Sequence, residues 1–90
     1  MFDIKDLRCF VAVYELRGFA RASRALDTVQ SNVSARILKL ERLIGAPLFV
    51  RRHRSIAPTE KGDLLYLHAQ RVLAEMGELE SVVVVRSRVA

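Results

Sequence analysis

Residues 19–37 read FARASRAL, DTV and QSNVSARI, and the alternation of apolar and polar residues along them decides the fold. In the first piece Phe19, Ala22 and Leu26 recur at helical spacing and form an inward stripe, while Arg21 and Arg24 point away. Asp27 and Thr28 break the run, and Thr28 is placed to cap a further helix from about Val29 to Ile44. Within that helix Val33, Ile37, Leu40 and Ile44 keep a 3–4 spacing on the buried side. At about 100° per residue Ser31, Ala35, Leu38 and Arg42 fall opposite them, flanked by Asn32 and Lys39. Two helices joined by a turn of about three or four residues, the second polar outward, form a helix-turn-helix.

Working outward, Ile4 to Leu16 carries Leu7, Phe10, Val11 and Tyr14 on one helical face. Asp3 is its expected N-cap, with Asp6 in the first turn near the positive helix end. Cys9, Ala12, Val13 and Leu16 make the other face apolar too, so this helix needs cover on both sides. One side fits the domain core; the other calls for a long element or a second subunit. Gly18 ends the helix and opens the next.

On the far side Gly45 suits a helix C-terminus and Pro47 prevents continuation. Leu48 to Val50 and Ser55 to Ala57 read as paired strands around an Arg51-Arg52-His53-Arg54 tip, a wing closed by Pro58. Thr59 caps a last helix with Glu60 in its first turn. There Leu65, Ala69, Val72, Met76, Leu79 and Val83 repeat as a heptad seam. The β-branched run Val82 to Val85 reads equally well as a strand, so the helix is expected to about Ser81. The predicted fold class is mainly α with a small two-stranded wing. A winged helix-turn-helix occupies residues 1–58, and a long linker helix for dimerisation follows over 59–90.

A chain of 90 residues makes one domain, and its 51% apolar content suffices for a core. The net charge of +5 becomes informative through its placement. Arg17 to Arg54 holds nine basic residues against two acidic ones, whereas Asp63 to Ala90 holds three against four. That pattern describes a polyanion-binding face joined to an element with another task. The single cysteine, Cys9, excludes an internal disulfide and a Cys-rich metal site, and it reads as a small buried hydrophobe. No secretory signal opens the sequence, so the expected compartment is the cytoplasm. The apolar runs fall far short of the ~20 residues that span a bilayer, which predicts no membrane partner. His53 is expected as a solvated loop residue and His68 as a packing or subunit contact. No nucleophile–base pairing, Gly-rich phosphate loop or metal-ligand spacing appears, so neither an enzyme nor a cofactor is predicted.

The chemistry that remains is recognition of duplex DNA. A helix fits the major groove, and residues at its N-terminal end reach base edges. Gln30, Ser31, Asn32 and Ser34 occupy that end, with amides and hydroxyls that donate and accept. Arg21, Arg24, Arg36, Lys39 and Arg42 are expected to meet phosphates and fix register. The wing tip would set Arg54 or Arg52 in the adjacent minor groove; Arg51 and Arg52 serve equally as strand supports. Two other readings stand beside this one: a winged helix that binds an acidic protein partner, and an architectural protein that coats DNA unselectively. The polar, uncharged cluster from Gln30 to Ser34 speaks against the last, since unselective binding needs only charge.

FARASRAL (19–26), QSNVSARI (30–37), Leu40-Glu41, Gly45-x-x-Leu48-Phe49-x-Arg51 and Thr59-Glu-Lys-Gly62 together resemble the signature of LysR-type transcriptional regulators. The likeness covers roughly residues 2–80 without a gap. It implies a homodimer joined through the linker helix, placing two recognition helices on an interrupted palindrome. It also implies a larger effector-binding domain, beyond these residues, for any small-molecule effector or tetramer contact. By the family pattern Gln30, Ser31, Asn32 and Ser34 match base-reading or phosphate-touching positions, and Arg54 matches the wing arginine. The sequence departs at Val29, where Ser or Thr is usual, so that the cap and phosphate role passes to Thr28. It departs also at Ala35, where many members carry Arg, and at Pro58, which replaces an apolar residue.

Overall fold

The computed structural model describes residues 1–84, arranged as helices α1 (Ile4–Leu16), α2 (Phe19–Ala25) and α3 (Gln30–Ile44), strands β1 (Phe49–Arg52) and β2 (Ser55–Pro58), and helix α4 (Glu60–Val83). Each boundary has a local cause. The Asp3 carboxylate accepts from the Lys5 N–H at 2.8 Å and starts α1. Arg17, not Gly18, takes the left-handed conformation that ends it (φ 56°), and its guanidinium lies 4.9 Å over the Tyr14 ring. Between α2 and α3 the chain turns through a left-handed Asp27, a residue type that tolerates this conformation. The Thr28 N–H returns to the Ser23 carbonyl at 2.9 Å and the Asp27 N–H to that of Arg24 at 3.2 Å, a Schellman closure. Gly45 ends α3 at φ 81°.

Thr28 does not cap α3 as expected. The N-cap is Val29, with no side-chain bond, and the Thr28 hydroxyl instead accepts from the Asn32 amide at 2.9 Å. Val29 sits in extended geometry directly before Gln30, so Thr28 is one residue too far back to reach the first amides. Leu26, expected inward, caps α2 and is exposed.

The core is a cluster of Cys9, Phe10, Val13, Ala22, Val33, Ile37, Leu40, Leu48 and Ile56. Helix α1 runs through its middle and packs on α2, α3 and α4. Leu7, Cys9, Phe10 and Val13 are buried, so most of both apolar sides of α1 is covered within the chain, while Leu16 at its end stays exposed. Part of the cover comes from the first turns of α4. Tyr66 stacks on Tyr14 with ring centroids 3.7 Å apart. The Tyr14 hydroxyl donates to Asp63 at 2.7 Å and that of Tyr66 to Glu15 at 2.6 Å. Two members of the predicted dimer seam belong to this packing: Ala69 is buried, and Leu65 is half-buried against the core.

Helix α4 starts under tight constraint. The Thr59 hydroxyl donates to the Pro47 carbonyl at 2.7 Å, and its oxygen accepts from the Gly62 N–H at 3.0 Å. A Cβ on Gly62 would lie 2.3 Å from the Leu48 carbonyl oxygen, so only glycine lets this turn meet the chain entering the wing. The helix runs to Val83, past the expected end, with Val84 extended; Val85 lies outside the described residues.

The strands are longer than expected because Arg51 and Arg52 belong to β1. The register is Phe49 with Pro58, Val50 with Ala57, Arg51 with Ile56 and Arg52 with Ser55, which leaves a His53-Arg54 turn with His53 at φ 56°. The Glu41 carboxylate accepts from the Leu48 N–H at 2.8 Å and ties the wing's entry to α3.

One buried charge joins α1 to α3. Asp6 is 0% exposed, with Arg36 Nη1 2.8 Å from Oδ1 and Lys39 Nζ 2.7 Å from Oδ2. Residues three apart share a helix face, so α3 grips both carboxylate oxygens at once. Burial would raise the Asp6 pKa, but the Lys39 and Arg36 cations outweigh it and hold the group below its usual 3.8. Because the folded value is depressed, the pairing stabilises the fold above the unfolded carboxylate's pKa. That contribution disappears as the pH falls through the folded value.

Two stability outcomes follow from these contacts. Gly62→Ala should cost about 1–3 kcal/mol in urea unfolding, because the Leu48 carbonyl must move. Asp6→Asn should lower stability by roughly 1–3 kcal/mol at neutral pH. Its deficit relative to the parent should hold from neutrality down to the usual carboxylate pKa of 3.8, then shrink below it. A deficit that persists unchanged in strong acid would show that the charge does not matter.

Candidate nucleic-acid interface

Burial of Val33, Ile37 and Leu40 turns the remaining faces of α3 outward. At its N-terminal end Gln30, Ser31 and Asn32 are exposed and Ser34 is half-buried. Since Val29 offers no cap, the first N–H groups of α3 are unoccupied by side chains, and the positive end of the helix dipole faces outward. Asn32 is held by its bond to Thr28, which fixes the direction of its amide. Farther along the same surface stand Ala35, Leu38 and Arg42, all exposed, in the places the helical spacing predicts.

Two basic flanks border this end. On one side a groove between α2 and the wing is lined by Arg17, Arg21, Arg24, Arg51 and Arg54, with Gln30 at its rim. Of these, Arg21 also donates to the Leu16 carbonyl at 3.1 Å, which satisfies the C-terminal end of α1 while leaving the side chain exposed. On the other side Lys5 and Arg8 of α1 meet Thr28, Asn32 and Arg36 around a second groove. Cys9 lies beneath this groove, and burial pushes its thiol up to about 11, so it stays protonated and inert near neutrality.

The expected phosphate contacts divide accordingly. Arg21 and Arg24 are both exposed on the surface beside Gln30, Arg21 while bonded to the Leu16 carbonyl. Arg36 and Lys39 turn away from that groove onto Asp6, so their cations serve first to hold α3 against α1. Sequence spacing places them beside the outward face but does not show which neighbour they meet.

The wing brings a further correction of emphasis. Opposed residues of an antiparallel pair share a face, so Arg51, across from the buried Ile56, points to the α2–α3 side and joins Gln30 in the arginine groove. Arg52, one residue on, falls on the other pleat with Ser55. Arg54 in the turn reaches the same groove as Arg51. Counting by twos from the half-buried Phe49 would have separated Arg51 from Arg52. Lys5 and Arg8 carried no such local signal, because only the packing of α1 on α3 brings them near Asn32.

The far half of α4 presents a different surface. Beyond Ala69 the seam leaves the body, with Val72 43% and Leu79 57% exposed and Val83 exposed as well; Met76 is half-buried. No helix among the described residues is long and apolar enough to cross a membrane, and no cluster of His, Cys, Asp and Glu there could hold a metal ion.

Comparison with known proteins supplies the context. The HTH-type transcriptional regulator IlvY of Escherichia coli (strain K12) is 37% identical over 81 residues, 90% of this chain and 27% of its own length. The HTH-type transcriptional regulator DgdR of Burkholderia cepacia is 37% identical over 76 residues, 84% of this chain and 26% of its own. This chain thus spans about a quarter of the curated relatives it matches. These relatives are regulators of transcription rather than enzymes. Among solved structures, the BenM DNA-binding domain complexed with catB site 1 DNA superposes with a TM-score of 0.86 at 31% identity, covering 90% of each chain. The CbnR DNA-binding domain in complex with DNA gives 0.83 at 29% identity, covering 89% of this chain and 92% of the other. Residues 4–63 match the model of the bacterial regulatory helix-turn-helix proteins of the lysR family, and with the winged fold and linker helix in place, the chain belongs to that family.

Proposed function

We propose that this chain binds duplex DNA selectively as the operator-reading part of a bacterial transcription regulator. The observation that carries the proposal is the uncapped, polar end of α3 standing between two basic flanks. Gln30, Ser31, Asn32 and Ser34 enter a major groove and meet base edges or the phosphates beside them. Arg21, Arg24 and Arg51 hold the backbone of one strand, and Lys5 and Arg8 that of the other. Arg54 at the wing turn enters the adjacent minor groove, with Arg52 on the outer pleat as a secondary contact. BenM and CbnR are seen in complex with DNA, and their likeness to this chain supports the same partner here. Arg36 and Lys39 act by positioning α3 through Asp6 rather than by holding phosphate.

The protein acts as a homodimer on an interrupted palindrome, in the cytoplasm where bacterial DNA resides. Val72, Met76, Leu79 and Val83 supply the seam, while Leu65 and Ala69 anchor it to each subunit's own core. Residues 1–58 carry recognition and the helix from residue 59 onward carries pairing. Relatives more than three times as long leave room for an effector-binding domain, through which a small molecule and tetramer contacts would act.

Two measurements test these roles. Binding titrations against a selected duplex and random DNA should separate the residue classes. Gln30→Ala should lose roughly 1–3 kcal/mol on the selected site and little on random DNA. Arg24→Ala, whose side chain makes no hydrogen bond or ion pair among the described residues, should weaken both about equally and lower the salt slope by about one. Equal losses for both variants on both duplexes would sink the assignment of α3 as the reading helix. Binding to acidic protein with indifference to every duplex would favour the protein-interaction alternative. For assembly, Leu79→Glu should shift sedimentation equilibrium toward monomer without loss of helix content, since Leu79 is 57% exposed and lies outside the core cluster of the described residues. An unchanged dimer would place the seam elsewhere.

A further inference from the structure

The outward face of α3 carries two apolar residues that its packing does not explain. Ala35 and Leu38 are three apart and so adjoin on one helix face. Both are exposed, Leu38 at 46%, and neither belongs to the core cluster or the residues packed against it. They are framed by groups that suit water: Ser31 one turn before, Arg42 one turn after Leu38, and Ser34 beside them. Leu38 shares the rim of a groove between α3 and the wing with Ser34, Val50 and Arg51, and Val50 is itself exposed.

A face pressed to the floor of a major groove meets donors, acceptors and one apolar feature, the thymine C5-methyl. Leu38 laid on a carbonyl or amino edge would strip that group of water and return no hydrogen bond, a net cost. Laid on a methyl it removes apolar surface from water on both partners. Ala35 does the same with less reach. The flanking arginines at the α2–wing groove provide the charge complement that brings this face to DNA.

We infer that Ala35 and Leu38 are specificity-determining residues that select thymine by its methyl group, beyond the polar readers at the helix start. The inference rests on the DNA-binding function proposed above. It assigns the middle of α3 a preference that hydrogen-bonding side chains cannot supply, and it makes each half-site depend on a methyl group.

The test begins with the 90-residue chain and duplexes it recovers from a random pool. Thymines in each recovered half-site are then replaced one at a time by deoxyuridine, which removes the methyl and leaves every hydrogen-bonding group. The parent should bind about fourfold less tightly at one or two thymines per half-site, the worth of one buried methyl-sized group. Leu38→Gln and Ala35→Ser, which keep the helix exposed and polar, should bind the thymine and deoxyuridine duplexes alike at the position each residue faces. Unchanged salt slope and circular dichroism in both variants show that fold and phosphate contacts persist. Parent binding indifferent to deoxyuridine at every position overturns the inference, as does a recovered motif without thymine. A parent loss that both variants reproduce in full assigns the methyl to another residue and overturns it too. Failure to recover any duplex at low salt would instead remove the DNA-binding function itself, a result distinct from all of these.

Discussion

Val33, Ile37 and Leu40 of α3 are buried in the cluster that also holds Phe10 and Val13 of α1, and this burial fixes which face of α3 meets the outside. Each such side chain contributes about 1.5–3 kcal/mol, so together they outweigh any single polar contact the helix makes. The Asp6 pairing acts within that limit. It does not decide that α3 packs on α1, but it restricts rotation of α3 about its own axis, because Arg36 and Lys39 must both reach one carboxylate. A rotation of one residue step, about 100°, would bury Gln30 or Ser34 and expose part of the apolar stripe. The polar end thus points outward because hydrophobic burial sets the face and a buried charge sets its angle.

Much of this was legible in the order of residues. The stripe of α3, the Gly45 terminus and the Asp3 and Thr59 caps are local patterns, and these local patterns survive translation into structure. What escaped was set by partners far apart in sequence. Asp6 in a first turn reads as a dipole complement, and nothing nearby announces Arg36, which lies 30 residues on. The two apolar faces of α1 read as one core face and one subunit face, whereas Cys9, Phe10 and Val13 all enter the core and α4 packs on the helix with Tyr66 stacked on Tyr14. Arg51 and Arg52 are indistinguishable in a strand that ends at Val50. Once β1 extends to Arg52, the pleat separates them.

Helix α4 lives in two environments, and its sequence shows where the change occurs. Up to Ala69 its inward residues are committed to the chain's own core, and from Val72 onward the seam is open. One uninterrupted helix of 24 residues, about 36 Å long, therefore joins a fixed root to a projecting arm. Gly62 is what permits the root to sit so close to the wing, since any larger residue would separate α4 from Leu48.

Helix α1 holds both ends of this arrangement. It grips α3 through Asp6 and the shared core, and α4 through the Tyr14–Tyr66 stack with its two carboxylate bonds. The outward polar end of α3 and the projecting arm of α4, both attached to one element, cannot shift independently without breaking one of these grips. In a dimer joined along the projecting arm, the separation of the two α3 helices would follow from how the arms pair together with the contacts that fix α3 and α4 to α1 inside each subunit. The spacing of half-sites would accordingly depend on Asp6, Tyr14 and Tyr66 as well as on the arm, although none of the three needs to touch DNA.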